Sequence, residues 1–340
     1  MPRLTQSIIN LTRLTSLGTR VLATSPFTAT AFVQRPPSYT IPAFSVPLGI
    51  AGYFGGGTDG TISLSGIDKI TFPADTKTTL SATLTTGRDT LAGMANSGTA
   101  GYFGGGYLTI SGIDKITFPA DTKTTLSATL TSGRYALAGM ANSGTAGYFG
   151  GGDDGARVSG IDKITFPADT KTTLSATLTS ARYQLAGMAN SGVAGYFGGG
   201  RDGADAKLSG IDKITFPADT KTTLSATLTS ARYNLAGMAN SGTAGYFGGG
   251  NTGTYTDGID KITFPADTKT TLSATLTSAR ASLAGMANSG VAGYFGGGYG
   301  PARRSDIDKI TFPADTKTTL SATLTSATEL HAGMADSGVL

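Results

Sequence analysis

The hexapeptide GYFGGG occurs six times in this chain, beginning at Gly52, Gly101, Gly147, Gly195, Gly245 and Gly293. Successive copies lie 49, 46, 48, 50 and 48 residues apart. Two further blocks keep step with it. KITFPADTKTTLSATLT begins at Lys69, Lys115, Lys163, Lys213, Lys261 and Lys309, and AGMA at Ala92, Ala138, Ala186, Ala236, Ala284 and Ala332. Repetition this close means that one supersecondary unit is built six times and that neighbouring copies bury each other's apolar faces. A period near 48 falls in the range of roughly 40–50 residues used by propeller blades.

Within a unit the pattern reads as four strands. LAGMA (Leu137 to Ala141) is strand A, and Asn142-Ser143-Gly144 turns the chain into strand B, AGYF (Ala146 to Phe149). IDKITF (Ile161 to Phe166) is strand C, stopped by Pro167, with Ala-Asp-Thr-Lys as the turn after it. In TLSATL (Thr173 to Leu178), Leu174, Ala176 and Leu178 alternate with Thr and Ser, which predicts strand D. Adjacent Tyr148 and Phe149 must point to opposite sides of their sheet, as suits a blade covered on both faces. The Ala, Gly and Met of strand A suit the crowded position nearest an axis.

The ends of the repeat region predict closure. The first unit opens at strand B (Ala51), and the last finishes with an additional strand A in AGMADSGVL. Three strands from the start and one from the end complete a blade and remove two exposed edges. The expected fold is all-β: a six-bladed propeller over residues 51–340, preceded by a non-repeat arm over residues 1–50.

Composition narrows the function. There is no cysteine, and the one histidine (His331) and one glutamate (Glu329) are single copies, so neither a metal centre nor a nucleophile–base pair is expected. Four arginines (Arg3, Arg13, Arg20, Arg35) are the only charges before Asp59, and the rest of the chain balances 22 basic against 22 acidic groups. A neutral body lacks the basic patch that dominates nucleic-acid affinity. No apolar run reaches the ~18 residues of a membrane span. GYFGGG lacks the Gly-Lys-Ser/Thr of a phosphate loop, and the Asp-rich loops Asp153-Asp154-Gly155 and Asp202 to Asp205 lack the acidic ladder of a calcium loop. A ring of Asn96, Asn142, Asn190, Asn240, Asn288 and Asp336 is expected at one channel mouth, as turn chemistry or as a water or ion ring. No cofactor and no catalysis are expected.

The strand C and D blocks barely change between copies, whereas two stretches do. The B–C loops change throughout, and the D–A connections read RDT, RYA, RYQ, RYN, RAS and TEL. In an up-and-down blade these loops leave on the same side of the disc, which gathers Tyr107, Tyr135, Tyr183, Tyr233, Tyr255 and Tyr299 with Arg88, Arg134, Arg182, Arg232 and Arg280. Exposed Tyr and Arg are enriched at recognition surfaces, so this face is the expected binding site for a glycan or a protein. The alternative is that the loops drift and the arginines pair between blades.

In residues 1–50, Leu4, Ile8, Leu11, Leu14, Leu17 and Val21 are spaced as on one helical face, and Pro26, Pro36, Pro37, Pro42 and Pro47 follow. The arm holds no acid and cannot form its own core, so it is expected to dock on a protein partner or a second copy. A cleaved transit peptide has a similar composition.

An apolar strand ending in di-glycine, an Arg opening each unit and a period near 50 resemble kelch-type propellers across residues 51–340. The departure is the lack of any Trp, which leaves a strand D Leu to fill that packing role. The near-identical copies look more like short-repeat propellers of bacteria and bacteriophages. That resemblance implies a structural or adhesive module of a virion or extracellular surface. An intracellular kelch-like scaffold, or a glycan-processing propeller using the Arg/Tyr face, are the alternatives.

Overall fold

The computed structural model describes residues 51–336, so the expectations for the arm, Leu4 to Val21 included, lie outside the described residues. Among the described residues, 24 strands form six four-stranded antiparallel sheets. Five of these use consecutive strands, while the sixth joins Ala332–Ala335 to Ala51–Gly55, Ile67–Thr71 and Thr76–Thr79. Its closing register pairs Gly52 with Ala335, Tyr53 with Met334, Phe54 with Gly333 and Gly55 with Ala332. The first blade is thus completed by the last strand, as the ends of the repeats predict. No helix among the described residues is long and apolar enough to cross a membrane.

Strand A of each blade lies innermost, and its glycine sets how closely the blades approach. A Cβ on Gly139 would sit 2.1 Å from the Gly93 carbonyl oxygen of the preceding blade, well inside van der Waals contact. Only a residue without a side chain closes the ring there.

The core lies between blades rather than within them. Tyr148 packs into the cluster shared by blades three and four, with Met140, Ile161, Phe197 and Phe216. Phe149 packs into the cluster shared by blades two and three, with Met94, Tyr102 and Ile113. Adjacent residues of one strand therefore serve opposite seams, which an apolar pair on both pleat faces demands. Each seam also stacks a strand B tyrosine on the next blade's strand C phenylalanine, as Tyr148 on Phe216 at 5.2 Å between ring centres.

Strand D differs from its sequence expectation. It is Thr170–Thr173 in blade three, and the turn is Phe166-Pro167-Ala168-Asp169 with Asp169 in the left-handed region (φ 55°). The hairpin register sets Thr170 opposite Thr165 and Thr173 opposite Asp162. The Leu174 amide then bonds to Ile161 O at the start of strand C, where the partner strand runs out. Leu178 lies beyond the ladder and plugs the seam between blades three and four. The Leu/Ala alternation reflects packing of this tail on the seam.

Candidate functional site

B–C loops and D–A connections share one side of the disc, because they pair directly. Tyr135 bridges Asp153, Tyr183 bridges Arg201, Tyr233 bridges Asn251, Ala281 bridges Tyr299, and Glu329 bridges Thr58 across the closing seam. At the axis the third residues of the variable triplets form a closed backbone circle. Ala136 N–H donates to Thr90 O (2.7 Å), Gln184 to Ala136 (2.7 Å), Asn234 to Gln184 (2.9 Å), Ser282 to Asn234 (2.7 Å), Leu330 to Ser282 (2.8 Å) and Thr90 to Leu330 (2.7 Å). All six hold φ between 53° and 59°. The left-handed backbone costs a non-glycine residue about 1 kcal/mol, and the circle holds each one in place. Above a ring of Leu91, Leu137, Leu185, Leu235, Leu283 and His331 they frame a shallow cavity of about 70 Å³.

The tyrosines of this face are held by their neighbours. Tyr107 meets Tyr135 edge-on (6.2 Å), as Tyr255 meets Tyr299 (5.8 Å). Arg157 lies over Tyr183 and Arg201 over Tyr233, each 3.7 Å from the ring centre. Tyr107 is 53% exposed, Tyr183 only 9%, and Tyr135, Tyr233, Tyr255 and Tyr299 are half-buried. The largest exposed apolar side chains on the face are Ile62 (61%) and Leu108 (77%), on the B–C loops of adjacent blades one and two.

The five arginines expected on this surface are instead buried, at 0–3% exposure. Each reaches from a D–A connection into the next blade and pairs with the strand C aspartate. The pairs are Arg88–Asp114, Arg134–Asp162 (3.0 Å), Arg182–Asp212 (2.6 Å), Arg232–Asp260 (3.1 Å) and Arg280–Asp308 (3.0 Å). The guanidinium also donates to the strand B phenylalanine carbonyl, as Arg134 to Phe149 O at 3.0 Å. Burial alone would raise the Asp162 carboxyl, but bonds from the Thr131 hydroxyl and amide, the Arg134 charge and Thr173 hold it below its ordinary value. Burial drives the Arg134 guanidinium down, opposed by Asp162. These arginines clamp blade to blade and present nothing to a ligand.

The opposite face carries two inter-blade clamps that single-chain reading misses. The Asp219 turn of blade four accepts the Tyr148 hydroxyl (2.8 Å) and the Lys163 ammonium (2.6 Å) of blade three, and the arrangement recurs at all six seams. Burial, then the bond to Asp219, raises the Tyr148 hydroxyl pKa. Five of the six members of the asparagine ring are spent the same way. Asn96, Asn142, Asn190 and Asn240 accept the turn-glycine amide of the next blade at 2.8–2.9 Å, and Asp336 accepts that of Gly98. In the Asp-rich loops, Asp153 accepts the Gly155 amide and pairs with Arg157, and Asp202 accepts the amides of Ala204 and Ala206. Among the described residues there is no group of three His, Cys, Asp or Glu side chains able to hold a metal ion.

Glu329 and His331 do not meet. Glu329 pairs with Arg303 at 2.8 Å, whereas His331 replaces the leucine of the other five connections and is 6% exposed. Burial lowers the His331 pKa from 6.5 to about 4, helped by the Arg280 charge and opposed by the Gly296 carbonyl and Asp68. The unfolded ring therefore takes up a proton first. Stability from neutral His331 is whole above pH ~6.5 and shrinks as pH falls toward ~4, by about 3 kcal/mol in all. Relative to His331→Leu, the wild type should lose ~2–3 kcal/mol between pH 7 and pH 4 in urea titrations. An unchanged difference at the two pH values would refute a buried neutral ring.

The protein is a closed six-bladed β-propeller. No protein-family model matches the sequence, and no curated protein sequence matches it. Among solved structures the fold is similar to that of YjhT, with a TM-score of 0.59 and 14% identity over 73% of this chain and 87% of YjhT. At that identity the likeness concerns the fold alone.

Proposed function

We propose that this propeller is a non-catalytic recognition module whose variable face binds a protein partner, with the patch around Ile62, Tyr107 and Leu108 as its centre. One observation carries the reading. Of the four large apolar side chains exposed among the described residues, these three occupy neighbouring loops of the variable face, and only Val193 lies elsewhere. Exposed apolar and tyrosine side chains on neighbouring loops suit the desolvated centre of a protein interface better than a hydroxyl-rich glycan. The kelch-like repeat pattern supports a scaffold of this kind, and residues 1–50 would join it to a larger assembly. The glycan-processing alternative needs arginines open to substrate, and the five that it would use are locked in ion pairs.

The test immobilises the full-length chain and identifies by mass spectrometry what it retains from its native source. Retention of the partner should fall at least ~10-fold for Ile62→Asp/Tyr107→Ser/Leu108→Asp, since central anchors are worth about 2 kcal/mol or more each. It should be unchanged for Val193→Asp on the opposite face. Equal retention by the triple variant, or retention of glycans alone, would overturn the reading.

A further inference from the structure

The six seams are equivalent except for one. Between blades six and one, the position that holds arginine at the other five seams is Thr328, and the leucine three residues on is His331. The receiving side of the seam keeps its arginine-binding form. At the other five seams the guanidinium donates to the strand B phenylalanine carbonyl and the strand C carboxylate, and at two of them also to the carbonyls of two glycines, as Arg182 does to Phe197, Gly199, Gly210 and Asp212. The counterparts in blade one are Phe54, Gly56, Gly66 and Asp68. They line a cavity of about 140 Å³ together with Thr328 and His331. A cavity holds a water with only ~10–15 Å³ on this measure, so far more than one solvent molecule fits.

The cavity is polar in a specific sense. Asp68, 8% exposed, accepts from Thr79 and from the Thr325 hydroxyl and amide, with Lys77 at 3.3 Å, but among the described residues no guanidinium pairs with it. His331 is more than nine-tenths buried on the cavity wall, with the Gly296 carbonyl beside its ring. Gly66, Thr79 and Thr325 at the rim are exposed, which gives a route in from solvent.

We propose that the seam between blades six and one is a binding site for a guanidinium group supplied from outside the propeller, which Asp68 and the carbonyls of Phe54, Gly56 and Gly66 receive as their counterparts receive Arg182. The planar cation matches a fork of carbonyls plus a carboxylate, a geometry that a spherical ammonium does not fill. The group belongs either to a small free guanidinium compound or to an arginine side chain.

Guanidinium chloride, at low millimolar concentration and constant ionic strength, serves as the probe. It should raise the melting temperature of the full-length protein saturably, with one site by titration calorimetry, whereas ammonium chloride should not. Thr328→Arg should abolish the response by supplying the group internally. Asp68→Asn, which keeps the side-chain shape, should weaken binding by ~10-fold or more, the usual cost of losing a bond to a charged group. Methylguanidine and an arginine-containing peptide separate the sources: a site that takes the ion but neither of these serves a small free cation, and one that takes the peptide serves a side chain. No guanidinium response in the wild type, or an equal response in Thr328→Arg and Asp68→Asn, overturns the proposal.

Discussion

Deleting Ala332–Leu340 is expected to abolish the monomeric fold, although it removes only the tail of the chain. The strand Ala332–Ala335 supplies the ladder partner of Ala51–Gly55, whose Tyr53 and Phe54 are 0% and 3% exposed. It also places Met334 in the seam between blades one and two, Ala335 in that between six and one, and Gly333 between Gly285 and Gly93 at the axis. Exposing Tyr53, Phe54 and the Met334 pocket costs about 1.5–3 kcal/mol for each large side chain. That sum is comparable with a whole domain's stability of ~5–15 kcal/mol. It also uncovers an apolar strand edge, which recruits other copies. Size-exclusion chromatography should show oligomers or aggregate in place of a monomer. A permuted chain that carries residues 328–336 ahead of Ala51 should recover the wild-type melting temperature, because the sheet is the same. A truncated protein that stays monomeric with an unshifted melting curve would show that strand closure is not what holds the ring.

Much of this architecture is legible in the sequence because the repeats are almost identical. The copy number, the missing first strand and the surplus last one set the ring, and the adjacent Tyr148 and Phe149 announce a blade apolar on both sides. Two kinds of feature escape that reading. Period-two alternation marks burial on one side of an extended chain, and Leu174 to Leu178 satisfies it by packing a non-ladder tail on a seam, so strand D starts three residues earlier than the alternation suggests. Charge and a place in the variable triplets point the arginines to the surface. The signal against it was their constancy: Arg88, Arg134, Arg182, Arg232 and Arg280 stay fixed while their neighbours change, and the aspartate of every IDKIT block stays fixed with them. Invariant opposite charges on different repeats imply a contact between repeats. The same logic finds the Asp219 clamp on Tyr148 and Lys163. Which blade an aspartate reaches is set by the ring's geometry, and sequence order does not encode it.

Asp162→Ala should be the most damaging single substitution away from the axis. Asp162 is fully buried and receives the Thr131 amide (2.9 Å) and hydroxyl (2.5 Å), the Thr173 hydroxyl (2.9 Å) and the Arg134 guanidinium (3.0 Å). Removing the carboxylate leaves Arg134 charged, at 2% exposure, with nothing opposite it. Breaking a buried pair from one side costs about 3–5 kcal/mol, because the desolvation of the remaining ion goes uncompensated. The same change at Asp68 provides the internal control, since Thr328 stands where the other seams have arginine and only the part-exposed Lys77, 3.3 Å away, loses a partner. Asp68→Ala should cost only ~1–2 kcal/mol, the usual penalty for orphaned neutral donors. Replacing both partners, as Arg134→Met/Asp162→Leu, should recover most of the loss. Acid acts in the same direction as the alanine change. The Asp162 carboxyl is held below its ordinary value, so its contribution is complete above the unfolded value of ~3.9 and disappears as pH falls through the folded one. Chemical denaturation of the three variants at neutral pH decides the matter: equal losses at Asp162 and Asp68 would mean that the arginine clamps do not set the strength of the seams.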